Sequence, residues 1–131
     1  MAQPFPNHPN LRGGFAPLQM ECDVNDLVVE GEIPKELNGS FYRNGPNPQY
    51  APRGHYHWFG GDGMIHAFHL EDGRVSYRNR WVRTVKWQKE REAGRSLFSA
   101  FNPMDNDESV AGLETDGVAN TNIVWHGDKL L

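Results

Sequence analysis

The chain has 131 residues, of which 37% are hydrophobic, 11% aromatic and 23% charged, proportions typical of a globular protein and not of a disordered or fibrous one. Its net charge of -4 at pH 7 argues against a nucleic-acid partner. No run of about 18 apolar residues is present that could span a membrane, and the start of the chain lacks the basic and apolar segments of a signal peptide.

The cysteine content and the basic residues set further bounds. A single cysteine, Cys22, excludes an internal disulfide and a thiolate zinc cluster, and it fits a reducing compartment, so we expect a cytoplasmic protein.

Eight basic residues fall within 22 positions, which predicts either a site for an anionic ligand or membrane headgroups, or a solvated strand face; the pattern favours the solvated face. The eight are Arg74, Arg78, Arg80, Arg83, Lys86, Lys89, Arg91 and Arg95.

The first third of the chain predicts an irregular arm followed by a strand and a turn. Residues 1–17 form the arm. Asn38-Gly39 is typical of a tight turn, and Ser40 to Arg43 is a short apolar strand. Asn44 to Pro48 holds two prolines and a glycine, so we expect a sharp turn there, since a central strand does not tolerate them. Arg43 and Asn44 are expected to tie this turn to its neighbours through hydrogen bonds.

The middle of the chain predicts antiparallel β structure. Met64 to Leu70 is apolar, Glu71 to Arg74 contains the Asp-Gly pair of a tight hairpin, and Val75 to Val85 is the return strand. Alternate residues of the return strand should share a face. One face carries Val75, Tyr77 and Trp81, and the other carries Ser76, Arg78 and Arg80.

The last third predicts a short helical turn or an insertion at Gln88 to Ala100, and a loop from Phe101 to Gly117. A second hairpin follows, with Asn120 to His126 as one strand, Gly127-Asp128 as the turn and Lys129 to Leu131 as the start of its partner. Because the chain stops inside that strand, we expect a fragment of a longer protein. Strands joined by short turns predict a propeller or a sandwich more than an α/β fold. Propeller blades need about 40 to 45 residues each, so a propeller would require further chain.

Four ordered segments carry a family pattern: Gly31 to Pro48, His57 to Phe68, Tyr77 to Thr84 and Ala119 to Asn122. Together they resemble the amino-terminal part of carotenoid cleavage oxygenases, a family that includes apocarotenoid oxygenases and lignostilbene dioxygenases. The resemblance implies an all-β fold in which residues 18–131 form the first blades of a seven-bladed propeller whose single oxygenase domain continues beyond residue 131. It implies a non-haem Fe(2+) held by four histidines, all beyond Leu131, and cleavage of a conjugated carbon-carbon double bond by O2 to give two carbonyl products.

The histidines and one aspartate offer alternatives for chemistry within this chain. His55 and His57 could bind a metal together, as in a cupin-like protein, but a surface or packing role is favoured. His66 and His69 are strand residues and no ligand pair, whereas His8 and His126 are solvated. Asp62 between two glycines could serve a metal or act as a base, but capping its own turn explains it.

By resemblance to the lignostilbene branch, Phe59 and Phe101 fall near substrate-tunnel positions, where two rings suit a flat conjugated substrate. For either phenylalanine taken alone, ordinary core packing is the favoured alternative. Members that recognise phenols typically carry tyrosine where this chain has Phe101, so we expect an apolar carotenoid or apocarotenoid. A stilbene-cleaving dioxygenase and a non-catalytic propeller scaffold are the alternatives. Four tryptophans allow peripheral membrane contact, although burial in the blades is favoured. They are Trp58, Trp81, Trp87 and Trp125.

Overall fold

A computed structural model describes residues 3–115 and 117–131. Its largest element is an antiparallel four-stranded sheet with the strand order β1-β4-β3-β2, and a separate two-stranded hairpin pairs β5 with β6. The elements are β1 (Asp23–Val24), β2 (Gly39–Pro46), β3 (Gly63–Glu71), β4 (Arg74–Trp81), α1 (Val85–Ala93), β5 (Trp125–His126) and β6 (Lys129–Leu130). Short 3-10 turns lie at Pro9–Leu11, Gly13–Phe15, Trp58–Gly60, Pro103–Asp105 and Glu108–Val110.

The predicted β3–β4 hairpin is confirmed. Asp72 and Gly73 both have positive φ, 50° and 76°, as a two-residue hairpin turn requires, and Glu71 pairs with Arg74. The return strand, however, ends at Trp81 and not at Val85. It is shorter than predicted because the helix that follows already begins at Val85.

Helix α1 begins earlier than predicted. The Thr84 hydroxyl caps it by accepting a hydrogen bond from the Trp87 amide at 3.1 Å, and Gly94 ends it in the left-handed conformation with φ 67°. The prediction of a helical turn or insertion from Gln88 therefore placed the start three residues too late. Threonine followed by a run of good helix formers was the signal available in the sequence.

The prediction of a sharp turn at Asn44 to Pro48 is wrong, because β2 continues to Pro46 and pairs with β3 down to Gly63. The reason lies in the sheet order: β2 is an edge strand, so one side of it needs no backbone partner, and proline is tolerated there. The turn of the second hairpin lies at Gly127-Asp128 as predicted, although its first strand is only Trp125–His126.

The small core lies where the sheet meets α1. Met64, Trp81 and Trp87 pack together, with Leu18 against them. A second cluster joins Leu97, Phe98 and Val110 in the segments that follow the helix. The core therefore connects the end of the sheet to α1 and the loops after it.

Two buried asparagines fasten the segment before β1 to this core. The Asn47 side chain accepts from the Leu18 amide at 2.7 Å and donates to the Leu18 carbonyl at 2.8 Å. The fully buried Asn79 accepts from the Cys22 amide at 2.7 Å and donates to the Met20 carbonyl at 2.9 Å. Both side chains take the place of backbone partners, because residues 18–22 belong to no strand.

Large apolar side chains remain on the surface, among them Phe41, Val28, Val124 and Trp125. Of the predicted buried tryptophans, Trp81 and Trp87 are buried, Trp58 is half-buried and Trp125 is exposed. Within residues 3–115 and 117–131 there is no helix with the length and apolarity needed to cross a membrane.

Candidate functional site

Phe59 lies on a short turn that leads into β3. His57 caps the 3-10 turn Trp58–Gly60, its Nδ1 accepting a hydrogen bond from the Phe59 amide at 3.2 Å. The turn presents the Phe59 ring to the surface, where 64% of the residue is exposed. We call residues 57–61 the Phe59 loop.

Phe101 lies on a second loop, residues 96–102, which we call the Phe101 loop. The residue is 57% exposed, and its ring contacts the His57 ring with 5.8 Å between centroids. The Phe59 ring contacts the same imidazole at 4.9 Å, and both contacts are edge-to-face. The structure therefore brings the two predicted phenylalanines together around His57, in agreement with the packing role favoured for this histidine.

The two loops touch directly at Gly60. A Cβ atom at this position would lie 2.2 Å from the Ala100 Cβ and 3.7 Å from Cε2 of Phe101. Carbon atoms in contact are normally about 3.5 to 4.0 Å apart, so only glycine permits this approach. On its other side the Phe101 loop borders a groove of about 380 Å³. Its lining includes Phe98, Phe101, Leu113, Val118 and Lys86.

Beneath the loops lies a buried ionic group that the sequence analysis did not find, formed by Asp62, Lys86 and Glu90. The Lys86 ammonium donates to Asp62 Oδ1 at 2.6 Å and to Glu90 Oε2 at 2.8 Å, and each carboxylate residue is 1% exposed. Burial opposes the charge on Lys86, but the two carboxylates outweigh it, so the pKa of Lys86 lies above its usual value. We call these three residues the charged triad.

The triad corrects the prediction for Asp62. Its side chain does not cap its own turn; Oδ2 accepts a hydrogen bond from the Gln49 amide at 3.1 Å, and Oδ1 binds Lys86. Both carboxylate oxygens are therefore engaged by groups of the protein itself, which supports a structural role, but the partners are distant in the sequence. The Thr84 cap and the i,i+4 spacing of Lys86 and Glu90 were the local signals that could have revealed the other two members.

The remaining triad contacts reach the Phe101 loop. Glu90 Oε1 accepts from the amides of Leu97 and Phe98 at 2.9 and 3.0 Å and from the Ser96 hydroxyl at 3.2 Å. On the other side, the buried Asn120 amide group donates to the Phe59 carbonyl at 2.8 Å. Both loops are thus held from below by buried polar side chains.

The histidines make protein contacts of their own. The imidazole of His66 shares a 2.7 Å hydrogen bond with the Tyr77 hydroxyl, and that of His69 shares one of 2.9 Å with Ser40. Burial and the charge of Arg43 lower the pKa of His66. Among residues 3–115 and 117–131, no three His, Cys, Asp or Glu side chains come together to hold a metal ion. His57 uses Nδ1 for the Phe59 amide, and His55 is exposed.

The basic cluster is largely neutralised by ion pairs. Of its eight members, seven contact carboxylates within the described chain, including Arg74 with Asp26 at 2.7 Å and Arg83 with Glu21 at 2.8 Å. The eighth, Arg91, lies 5.9 Å from the centre of the Trp87 ring. The residues are therefore paired and form no open anion site within the described chain. Six of the eight are nonetheless exposed, which agrees with the favoured solvated face, and Lys86 is the buried exception.

Comparison with known proteins identifies the fold. A family model described as retinal pigment epithelial membrane protein (RPE65) matches residues 15–131. Among solved structures, Pseudomonas brassicacearum lignostilbene dioxygenase has a TM-score of 0.89 and 38% identity, with 98% of this chain and 27% of that chain covered. A variant of Synechocystis apocarotenoid oxygenase has a TM-score of 0.74 and 35% identity, with 89% and 26% covered. The all-β fold and the opening blades of a propeller are confirmed, and the sheet is not closed within this chain.

Curated relatives agree. Isoeugenol monooxygenase of Pseudomonas nitroreducens is 48% identical over 132 residues, with 100% of this chain and 27% of that protein covered. Lignostilbene-alpha,beta-dioxygenase isozyme III of Sphingomonas paucimobilis is 45% identical, with 96% and 26% covered. Carotenoid 9,10(9',10')-cleavage dioxygenase 1 of Pisum sativum is 37% identical, with 95% and 26% covered. The chain thus spans about a quarter of the length of these relatives, and with residues 15–131 matched it belongs to the RPE65 family of carotenoid cleavage oxygenases.

Proposed function

We propose that the protein containing this chain cleaves a conjugated carbon-carbon double bond of a small apolar substrate with O2 and releases two carbonyl products. Family membership supports the reaction class, since the relatives include a carotenoid-cleavage dioxygenase, a lignostilbene dioxygenase and an apocarotenoid oxygenase. The observation that carries the proposal is the pair of exposed rings, Phe59 and Phe101, on two loops that are held in contact. A flat conjugated substrate gains from burial against both rings.

We expect the reaction centre to lie outside residues 1–131. The family resemblance implies Fe(2+) held by four histidines beyond Leu131. The described histidines do not fit that role, since His57, His66 and His69 are bonded within the protein and no metal-binding group forms among the described residues. Iron, when bound elsewhere in the protein, would supply O2 chemistry; the residues described here bind and orient substrate and keep water from it.

Two substrate classes follow from two different observations. The phenyl ring of Phe101 has no hydroxyl to bond a phenol, which favours an apolar carotenoid or apocarotenoid. The greater identity to the isoeugenol and lignostilbene proteins, 48% and 45% against 37% for the carotenoid enzyme, favours an aryl alkene as the second candidate. The first candidate is our proposal for the substrate.

The test is cleavage by the full-length protein, reconstituted with ferrous ion and offered an apocarotenal, 4-hydroxystilbene and unsubstituted stilbene in parallel, with aldehydes identified by mass. Cleavage of the apocarotenal alone is expected. The Phe101→Tyr variant should gain measurable cleavage of 4-hydroxystilbene, whose hydroxyl the tyrosine can bond, and should still leave unsubstituted stilbene uncleaved. Cleavage of the stilbenes alone by the wild type would replace the first candidate with the second.

The non-catalytic alternative predicts a different outcome in the same assay. A scaffold would cleave none of the three compounds and retain no iron.

Peripheral membrane contact and a cytoplasmic location stay predictions; sedimentation of the full-length protein with lipid vesicles checks the first, and cell fractionation checks the second.

A further inference from the structure

The Phe59 and Phe101 loops come from separate parts of the chain, yet Lys86, which belongs to neither loop, links the residue that follows the first loop to the residue that holds the second. Asp62 directly follows the Phe59 loop and enters β3. Glu90 lies on α1 and holds the start of the Phe101 loop through two backbone amides. Lys86 contacts both carboxylates, at 2.6 and 2.8 Å, and is the direct link between the two attachments.

The chemistry of the triad points to a geometric role. Removing three charged groups from water is costly, and buried ion groups can often be replaced by apolar side chains without loss of stability. The advantage of buried ionic groups is that their hydrogen bonds are directional, and each carboxylate oxygen of the triad accepts from its own donor. Asp62 uses one oxygen for Gln49 and one for Lys86, while Glu90 uses one for the Phe101 loop and one for Lys86. A shift of either loop therefore breaks a buried hydrogen bond.

We propose that Lys86 is a positioning residue that fixes the spacing between the Phe59 and Phe101 loops, and so the spacing of their two rings, which both pack against His57. We call the exposed surface formed by these three rings the aromatic slot. This inference rests on the proposed function for its meaning in substrate binding. Because the reacting centre lies elsewhere, Lys86 acts on substrate recognition and not on the chemical step. No contact between Lys86 and substrate is required.

The link through Lys86 predicts which substitutions loosen one loop and which loosen both. Asp62→Asn weakens the attachment of the Phe59 loop, and Glu90→Gln weakens that of the Phe101 loop, while both variants keep the size of the side chain. Lys86→Met removes the link and should loosen both loops together. The matched control is Lys89→Met, since Lys89 lies on the same helix and contacts only exposed Glu92 among the ion pairs of the described chain.

Hydrogen exchange of the full-length protein, followed by mass spectrometry, measures this without any need for activity. Lys86→Met should raise the exchange of peptides covering residues 57–61 and 96–102 by about tenfold, and that of β3 and β4 much less. Asp62→Asn should affect mainly the first peptide and Glu90→Gln mainly the second. Should Lys86→Met prove too unstable to purify, the double variant Asp62→Asn/Glu90→Gln replaces it, and its effect on each loop should exceed that of either single change.

Steady-state kinetics of the same variants provide the second measurement. If the slot widens, KM for a conjugated substrate rises and kcat changes little, with kcat/KM falling about tenfold, as for an imperfectly filled apolar pocket. Lys89→Met should match the wild type in both assays. A fall in kcat with constant KM, or looser exchange in one loop only after Lys86→Met, would overturn the proposal.

The two measurements also separate this inference from the proposed function. If the wild-type protein cleaves none of the offered alkenes, the proposed function fails, yet the exchange pattern still decides whether Lys86 couples the loops. If the wild type cleaves substrate and Lys86→Met exchanges like Lys89→Met, the proposed function stands and the positioning role is refuted.

Discussion

Replacing Gly60 by alanine tests the contact between the two aromatic loops most directly. The φ angle of Gly60 lies outside the left-handed region, so the backbone itself accepts alanine and any effect comes from packing. The added Cβ would stand 2.2 Å from the Ala100 Cβ. Restoring a normal carbon-carbon distance of about 3.5 to 4.0 Å requires the loops to separate by about 1.3 to 1.8 Å.

This separation should destabilise the protein by about 1 to 3 kcal/mol, the usual cost of overpacking. It should also raise KM, because the rings of the two loops move apart with the backbone. The compensating change is Ala100→Gly, which removes the clashing methyl group and leaves the Ala100 Cα 3.5 Å from the new Cβ, an ordinary contact. The double variant Gly60→Ala/Ala100→Gly should therefore recover most of the lost stability and affinity.

The assay is a double-mutant cycle on the full-length protein, with thermal unfolding and kcat/KM measured for each member. Gly14→Ala is the control, because a Cβ at Gly14 meets no atom within 4 Å, and it should change stability by no more than about 0.5 kcal/mol. If the two substitutions add, so that the double variant is no better than Gly60→Ala, the loops do not touch at this point and the proposed slot geometry is wrong.

Three further substitutions probe the groups that hold the loops and the sheet. Asn120→Ala removes the donor to the Phe59 carbonyl and should lower the free energy of unfolding, measured by chemical denaturation, by about 1 to 3 kcal/mol. An unchanged free energy of unfolding would show that this carbonyl is not buried in the whole protein. Asn79→Ala should cost at least as much, since three hydrogen bonds of a fully buried side chain are lost, and limited proteolysis before β1 should accelerate. Burial and the charge of Asp62 raise the pKa of Tyr56 to about 12 from 10.0, so the stability that neutral Tyr56 confers is complete below pH 10 and is lost as the pH rises towards 12. Tyr56→Phe should flatten that part of the stability profile, and an unchanged slope would contradict the assignment.

The parts of the fold that were predictable depend on local chemistry. Asp72 and Gly73 must adopt positive φ in a two-residue hairpin, and aspartate and glycine permit it at little cost, so the dipeptide alone located the turn. The tie expected of Asn44 is also present, since its side chain donates to the carbonyls of Ala119 and Asn122 at 3.0 Å. In both cases a short polar side chain had few other uses at its position.

The errors depend on tertiary structure. Pro46 would end a strand that has a neighbour on both sides, but it is tolerated in an edge strand. The local sequence does not determine the order of the strands in the sheet. The same holds for Lys86: its spacing to Glu90 is local, but its burial results from Asp62, which approaches from the start of β3. A charged helix is solvated by default, and only the packed structure shows which of its charges face inward.

The close approach at Gly60 and the charged triad act on the same two loops through different forces. The Gly60–Ala100 contact limits how near the loops come, because van der Waals repulsion rises steeply, whereas the triad limits how far they separate, because its buried hydrogen bonds weaken with distance. Under the proposed function, a spacing bounded on both sides keeps the two rings and the His57 ring between them in one arrangement for a flat substrate. Gly60→Ala lengthens the Gly60–Ala100 contact and Lys86→Met weakens the triad, so each variant should widen the slot. Measured separately, both should shift selectivity towards bulkier conjugated substrates. Opposite shifts would show that the two features do not control the same dimension.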